Sequence, residues 1–226
     1  MKTVVLIPAY KPDDALIKTV VELSSHGYDI LVVDDGGGAD YDDIFRCVSG
    51  FAKVLRKKKN YGKGAALKTG FRYILNRMPD VGYVVTADAD GQHKTADIAK
   101  VDERLREGSE FVLGSREFAG EVPVRSRLGN MITRGVFSVV SGVSVGDTQT
   151  GLRGFDRSLL EWLVSIPGHR YEYEMNMLLD AAKRGIRINE VTIETVYEKG
   201  NPSSHFNPVK DSVKIYKCIF GYAFKK

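Results

Sequence analysis

Cysteine is scarce in this chain, and the two that occur, Cys47 and Cys218, form no closely spaced pair. A disulfide framework and a thiolate zinc site are therefore not indicated, and the scarcity fits a reducing cytoplasm. Long apolar runs are missing as well. No stretch approaches the roughly 18 apolar residues of a membrane-spanning helix. The run Val4 to Ile7 is interrupted by Pro8, too soon for the core of a signal peptide. It reads as a first strand, and the chain is expected to be soluble. No internal repeat or low-complexity tract is present. Two nucleotide-binding signatures also fail. Around Asn60-Tyr61-Gly62-Lys63-Gly64, Lys57 stands where a Walker loop needs Gly, and Gly64 where it needs Ser or Thr. Neither Gly36-Gly37-Gly38 nor Gly62-Lys63-Gly64 has the third Gly of the dinucleotide fingerprint. ATPase and dehydrogenase readings lose support.

What is present is an ordinary globular composition, 226 residues with 43% hydrophobic content, which suits one domain. The net charge of +4 comes from basic clusters at Arg56-Lys57-Lys58-Lys59 and along the last eighteen residues. That charge fits an anionic partner, whether nucleic acid, nucleotide phosphate or an anionic membrane surface, and equally a solvated basic face.

Short β-rich runs alternate with helical periodicity, which predicts an α/β fold with a mostly parallel sheet covered by helices. Strands are expected at Thr3 to Ile7, Ile30 to Val33, Lys53 to Leu55, Tyr83 to Ala87 and Phe111 to Leu113. Helices are expected at Asp13 to Ser25, Tyr41 to Val48, Lys63 to Asn76 and Thr95 to Glu107. After Gly114 the regularity fails. Ser115 to Val124 reads as a loop, Ser126 to Ser141 as a helix, and Asp147 to Phe155 mixes turn and strand signals. A helix from Glu172 to Arg184 and a strand from Ile186 to Val196 follow. From Val209 onward apolar residues recur at helical spacing, opposite Lys210, Lys214 and Lys217. The boundaries are thus a main domain over 1–208 and an amphipathic basic helix over 209–226.

In open α/β sheets ligands bind beyond the carboxyl ends of the strands. Here those ends carry Pro8-Ala9-Tyr10, Asp34-Asp35-Gly36, Asp88-Ala89-Asp90-Gly91-Gln92-His93 and Gly114-Ser115-Arg116. Alternate residues at a strand end face the same way, so Asp88 and Asp90 can meet at one cation. Mg2+ or Mn2+ would bridge them to diphosphate oxygens, with Gln92 as a third oxygen donor; the plain alternative is a solvated polar turn. Asp34 and Asp35 can accept from a base or ribose, or merely brace a Gly-rich turn. Lys63 opens a helix whose positive end suits an anion. Arg116, Arg125, Arg127 and Arg134 surround the irregular middle, and as a group they point to a second anionic substrate.

Taken in order, several segments resemble glycosyltransferase family 2, with its GT-A fold, and its dolichol-phosphate mannosyltransferase and polyprenyl-phosphate glycosyltransferase branch. They are Ile7-Pro8-Ala9-Tyr10, Val33 to Gly36, Asn60 to Ala66, Ala87 to His93, Gly114-Ser115-Arg116 and Asp147 to Phe155. The resemblance implies a Rossmann-like single domain and inverting transfer from a GDP- or UDP-linked sugar to a polyprenyl phosphate. It places the nucleotide sugar at Pro8, Ala9, Tyr10, Asp34, Asp35, Lys63, Gly64, Asp88, Ala89, Asp90 and His205. The metal, Mg2+ or Mn2+, falls to Asp88, Asp90 and Gln92, and the acceptor phosphate to Arg116 and Arg127. Gly91 departs from the family's bulky apolar residue at that place, and Ser204-His205-Phe206 stands where the family has Ser-Lys-Phe, leaving His205 or Lys199 as the substitute for its basic contact to the donor phosphate. An ionised phosphate acceptor needs no strong base, whereas a hydroxyl acceptor in polysaccharide synthesis would, with Asp147 as the candidate. The resemblance further implies a chain at the inner face of the cytoplasmic membrane, its last helix either resting on that surface or forming the juncture that in bacterial members leads to a small membrane module, and no nucleic-acid partner; a helix packed on the domain with its lysines in water is the plain alternative. Two rivals remain. A nucleotidyltransferase would need a basic Gly-rich loop after the first strand, where Pro8-Ala9-Tyr10-Lys11-Pro12 stands; a non-catalytic surface-binding module leaves the acidic strand ends unexplained.

Overall fold

The computed structural model describes residues 1–116, 124–194 and 210–223. At its centre β1 (Lys2–Ala9) is buried on both faces, with Val4 and Leu6 turned to one side and Val5 and Ile7 to the other. That two-residue alternation, with apolar residues at every step, is what a central parallel strand requires. β2 (Asp29–Asp34) and β4 (Val81–Thr86) flank it in parallel, and β3 (Lys53–Arg56) extends the sheet beyond β2. β5 (Phe111–Arg116), β6 (Arg153–Asp156) and β7 (Ile188–Ile193) complete a seven-stranded sheet in the order β3-β2-β1-β4-β6-β5-β7. β6 alone runs antiparallel, wedged between β4 and β5.

Helices cover both faces. α1 (Asp14–Ser25), α2 (Asp42–Val48) and α4 (Thr95–Arg106) pack on the Val5 and Ile7 side. α3 (Lys63–Arg77), α5 (Val124–Ser141), α6 (Leu160–Ser165), α7 (Glu172–Arg184) and α8 (Lys210–Ala223) cover the other. α1 starts where the Asp13 side chain accepts the Ala15 N–H at 2.9 Å, and it buries Leu16, Val20 and Leu23 at helical spacing. On the opposite face the Phe155 ring of β6 sits 4.9 Å from Phe111 and edge-on to Phe71 at 5.9 Å, knitting β5, β6 and α3 into one core.

The mostly parallel sheet matches the expectation. The differences are local. β5 runs on to Arg116, past its expected end at Leu113 and into the expected loop, because Ser115 and Arg116 pair with Thr192 and Ile193 of β7. β6 emerges from the segment of mixed signals, because Arg153 and Gly154, both poor strand residues, are buried there: Arg153 donates to the Thr150 carbonyl, and a side chain at 154 would collide with Val101 and Leu105 of α4. α6 was not anticipated, its six residues being too few to show a helical period. The last strand ends at Ile193, and the remainder of its expected span, 195–196, lies outside the described residues.

Candidate active site

A cavity of about 580 Å³ opens beyond the carboxyl ends of β1, β2 and β4. Eight residues expected there do line it: Pro8, Ala9 and Tyr10 from the end of β1, Asp35 after β2, Lys63 at the start of α3, and Asp88, Ala89 and Asp90 after β4. The site sits there because β1 and β4 end side by side, with Ala87 N–H donating to Leu6 O at 3.1 Å.

The electrostatics of this cavity are dominated by Asp88. Its Oδ1 lies 2.7 Å from Lys63 Nζ, and its Oδ2 lies 3.4 Å from His93 Nε2. Burial works to raise the Asp88 carboxyl, but Lys63 and then His93 outweigh it and hold the group well below the usual carboxylate range. Asp90 moves the other way: burial, then the charge of Asp88, push it up. Its described contact is the Gln92 N–H, donated to Oδ1 at 3.1 Å, and no ion pair to Asp90 forms among the described residues. Lys63 is also 3.0 Å from Glu174 Oε1; burial opposes its charge, and Asp88 and Glu174 keep it firmly protonated. The Asp88 carboxylate is walled in by Gly151, where any side chain would strike it.

Asp34 does not reach the cavity. It is buried, paired with Arg56 Nε at 3.0 Å, and it accepts Gly37 N–H at 2.8 Å, so it braces the turn after β2. Asp35 lines the cavity while pairing with Lys57 and accepting Gly62 N–H at 2.6 Å. It thereby ties the end of β2 to the loop before α3. Gly64 is packed under Tyr173 instead of facing the cavity. Gln92 follows Asp90 but is not part of the cavity wall.

Arg116, at the end of β5, and Asp147 form a two-pronged pair, Nε to Oδ2 at 2.5 Å and Nη2 to Oδ1 at 3.1 Å. Asp147 is wholly buried and also accepts Gln149 N–H at 2.9 Å. A carboxylate so engaged orients a guanidinium; it is poorly placed to collect a proton. Arg127 lies on α5, but its side chain falls outside the described residues, as do His205 and Lys199 entirely.

Sequence reasoning missed several residues of the wall and its support: Lys11, Asn60, Arg170, Tyr171 and, behind Lys63, Glu174. For Glu174 a signal existed. It shares one buried helical stripe with Met177, Leu178 and Ala181, an unusual place for a carboxylate unless it has a partner.

For a divalent cation the donor set fits. Asp88 and Asp90 offer hard oxygen ligands, and Asp90 forms no ion pair among the described residues. Among the described residues no cluster of three or more His, Cys, Asp or Glu forms a closed metal cage. Two carboxylates, with positions left for phosphate oxygens and water, are what Mg2+ or Mn2+ accepts at a nucleotide site.

The mostly parallel sheet with helices on both faces and a polar cavity at its strand ends is a Rossmann-like α/β arrangement. The chain belongs to glycosyl transferase family 2, whose profile matches residues 4–163. It is 32% identical over 215 residues to the UDP-N-acetylglucosamine--dolichyl-phosphate N-acetylglucosaminyltransferase of Methanococcus voltae, covering 85% of this chain and 84% of that one. It is 28% identical over 208 residues to the polyprenol monophosphomannose synthase of Mycolicibacterium smegmatis, covering 85% and 76%. Among solved structures it superposes on glucosyl-3-phosphoglycerate synthase from Mycobacterium tuberculosis in complex with Mn2+, uridine diphosphate and phosphoglyceric acid. That match has a TM-score of 0.73 at 19% identity, over 98% of this chain and 78% of that one. The protein is a glycosyltransferase with the GT-A fold.

The opposed behaviour of Asp88 and Asp90 has a stability consequence. Asp88, lowered in the folded state, contributes stability above the ordinary carboxylate range and loses it on acidification; Asp90, raised, costs stability once the pH exceeds that range. Asp90→Asn should therefore stabilise the metal-free protein at neutral pH, by about 0.5–2 kcal/mol, in a thermal melt with chelator present. A less stable variant would contradict the like-charge reading.

Proposed function

We propose that this protein moves a sugar, with inversion at its anomeric carbon, from a GDP- or UDP-linked donor to a polyprenyl phosphate. The observation that carries the reading is the pairing of two sites. An acidic cavity with Lys63 at the strand ends suits a nucleoside diphosphate, and Arg116, held rigidly by Asp147, offers a guanidinium to a second phosphate. The activities of the named relatives, which concern dolichyl phosphate and polyprenol monophosphomannose, support the acceptor class. The Mn2+ complex of the structural neighbour is consistent with a metal.

Pro8, Ala9, Tyr10 and Asp35 line the part of the cavity assigned to the nucleoside, and Lys63 faces the diphosphate. Asp88 and Asp90, with Gln92, would hold Mg2+ or Mn2+, which when bound neutralises the leaving diphosphate. The acceptor phosphate, already ionised near neutral pH, forms the new bond to the anomeric carbon while the sugar's bond to the nucleoside diphosphate breaks. Arg116 and Arg127 bind that acceptor, and His205 meets the donor. Asp147 is assigned to positioning Arg116, which favours a phosphate acceptor over a sugar hydroxyl.

The acceptor's lipid nature has a surface to match. Helices α5 and α8 pack together, Thr133 Oγ1 meeting Tyr216 Oη at 3.5 Å, and they leave Met131, Ile132, Val139, Val213 and Phe220 exposed beside the exposed Lys214 and Lys217. Apolar side chains with flanking lysines suit attachment to an anionic bilayer, here the inner face of the cytoplasmic membrane. No helix among the described residues is long and apolar enough to cross it. Val139→Asp with Phe220→Asp should reduce co-sedimentation with phosphatidylglycerol vesicles roughly tenfold or more; unchanged sedimentation would remove this surface from the proposal.

Asp147→Asn should lower kcat/KM for the acceptor by roughly tenfold to a hundredfold while leaving the shape of the pH–rate profile intact. Asp88→Asn should cost about a thousandfold. Equal collapse of the two at saturating acceptor, or loss of the acid limb in Asp147→Asn, would return Asp147 to the role of base and sink the phosphate acceptor.

A further inference from the structure

Lys63 and Glu174 come from helices α3 and α7, and their meeting is built into the backbone. Gly62 and Gly64 let the start of α3 press against the turn before α7, where a side chain at 62 would strike His169 and Arg170, and one at 64 would strike Tyr173. The contact is locked by Ala65 N–H donating to His169 O at 2.8 Å. From below, Arg153 Nη1 donates to Glu174 O at 2.8 Å and fixes the first turn of α7. Lys63 Nζ is thereby held between two carboxylates, 2.7 Å from Asp88 and 3.0 Å from Glu174. Lys63 lines the cavity, whereas Glu174 stands behind it.

We propose that Lys63 is the donor site's own counter-cation, seated on Asp88 until a divalent metal takes that carboxylate, and that Glu174 is the second seat that keeps the lysine in place afterwards. The inference rests on the metal-dependent reading above and adds two residues to it. An ammonium on Asp88 and a doubly charged metal on the same carboxylate repel one another strongly in a partly buried cavity. With Asp88 as its sole partner, the lysine would have to be expelled when metal entered. Glu174 removes that necessity: the ammonium can leave Asp88 by a small rotation, stay paired, and remain at the cavity wall facing the donor's diphosphate. The asymmetry of the acidic pair agrees, since Lys63 covers Asp88 and leaves Asp90 without an ion pair among the described residues. Glu174 is in this view a positioning residue acting through Lys63.

The test is a titration of the protein with Mn2+ alone, without nucleotide, reading free Mn2+ by electron paramagnetic resonance, with a melting curve to confirm that each variant is folded. Removing the internal competitor in Lys63→Met should tighten Mn2+ binding about tenfold, and Lys63→Gln, closer in shape, should do the same should the methionine variant be unstable. Glu174→Gln, which leaves the lysine Asp88 alone, should weaken Mn2+ binding roughly threefold to tenfold. The double variant Lys63→Met with Glu174→Gln should bind at least as tightly as the unaltered protein. A lysine variant that binds Mn2+ no more tightly overturns the exchange. So does a double variant as weak as Glu174→Gln alone, because Glu174 would then be a direct metal ligand. If Mn2+ binds none of these proteins the exchange is overturned too, and sugar transfer assayed with and without chelator decides separately whether the proposed function stands.

Discussion

Two carboxylates two residues apart at the end of a buried strand repel one another, and burial adds to the cost of their charge; the surroundings of Asp88 and Asp90 answer that constraint. Lys63 and His93 settle on Asp88 and leave Asp90 raised. Gly151 presses against the Asp88 carboxylate and limits where it can turn. The close glycine junction between α3 and the turn before α7 exists to deliver Lys63, and the buried Glu174 completes its surroundings. A site in this condition suits a divalent cation, in keeping with the proposed metal.

The segment from Asp147 to Arg153 reaches both halves of the proposed chemistry within seven residues of chain. Asp147 grips Arg116 at the end of β5, Gly151 abuts Asp88, Thr86 Oγ1 donates to Gly151 O at 2.9 Å, and Arg153 is anchored beneath Glu174. Irregular backbone is costly to bury unless its polar groups are satisfied, and here Gln149 N–H goes to Asp147, Thr150 O accepts from Arg153, Gly151 O from Thr86 and Leu152 O from Gly114 N–H. The antiparallel strand β6 that follows locks the segment between β4 and β5.

Much of this was legible from residue order. The first five strands and four helices match their expected spans to within a few residues, because each is either an apolar run buried on both faces or a helix with one apolar stripe. The carboxylates Asp88 and Asp90 were legible as cavity residues because polar residues at strand ends ask for an explanation; Asp35 lines the cavity too, although its oxygens also hold Lys57 and the Gly62 N–H. Asp34 looked identical in sequence, and only the positions of Arg56 and Gly37 show that its oxygens are taken. Arg170, Tyr171 and Glu174 were not legible as site residues, since roughly a hundred residues separate them from the loop they touch and only the packing of α7 on α3 unites them. β6 was hidden by its composition: the Arg and Gly that disqualify it as a strand are accommodated by carbonyl oxygens and by the closeness of α4.

The central claim, metal-dependent transfer of a sugar to a polyprenyl phosphate, is tested most directly by incubating the protein with labelled GDP- and UDP-sugars and undecaprenyl or dolichyl phosphate vesicles. Label extracted into organic solvent is then counted with Mn2+ and with chelator. The account predicts label in the lipid fraction from at least one donor, abolished by chelator and by Asp88→Asn. Label appearing only in a soluble glycan, or appearing in lipid undiminished by chelator, would contradict it.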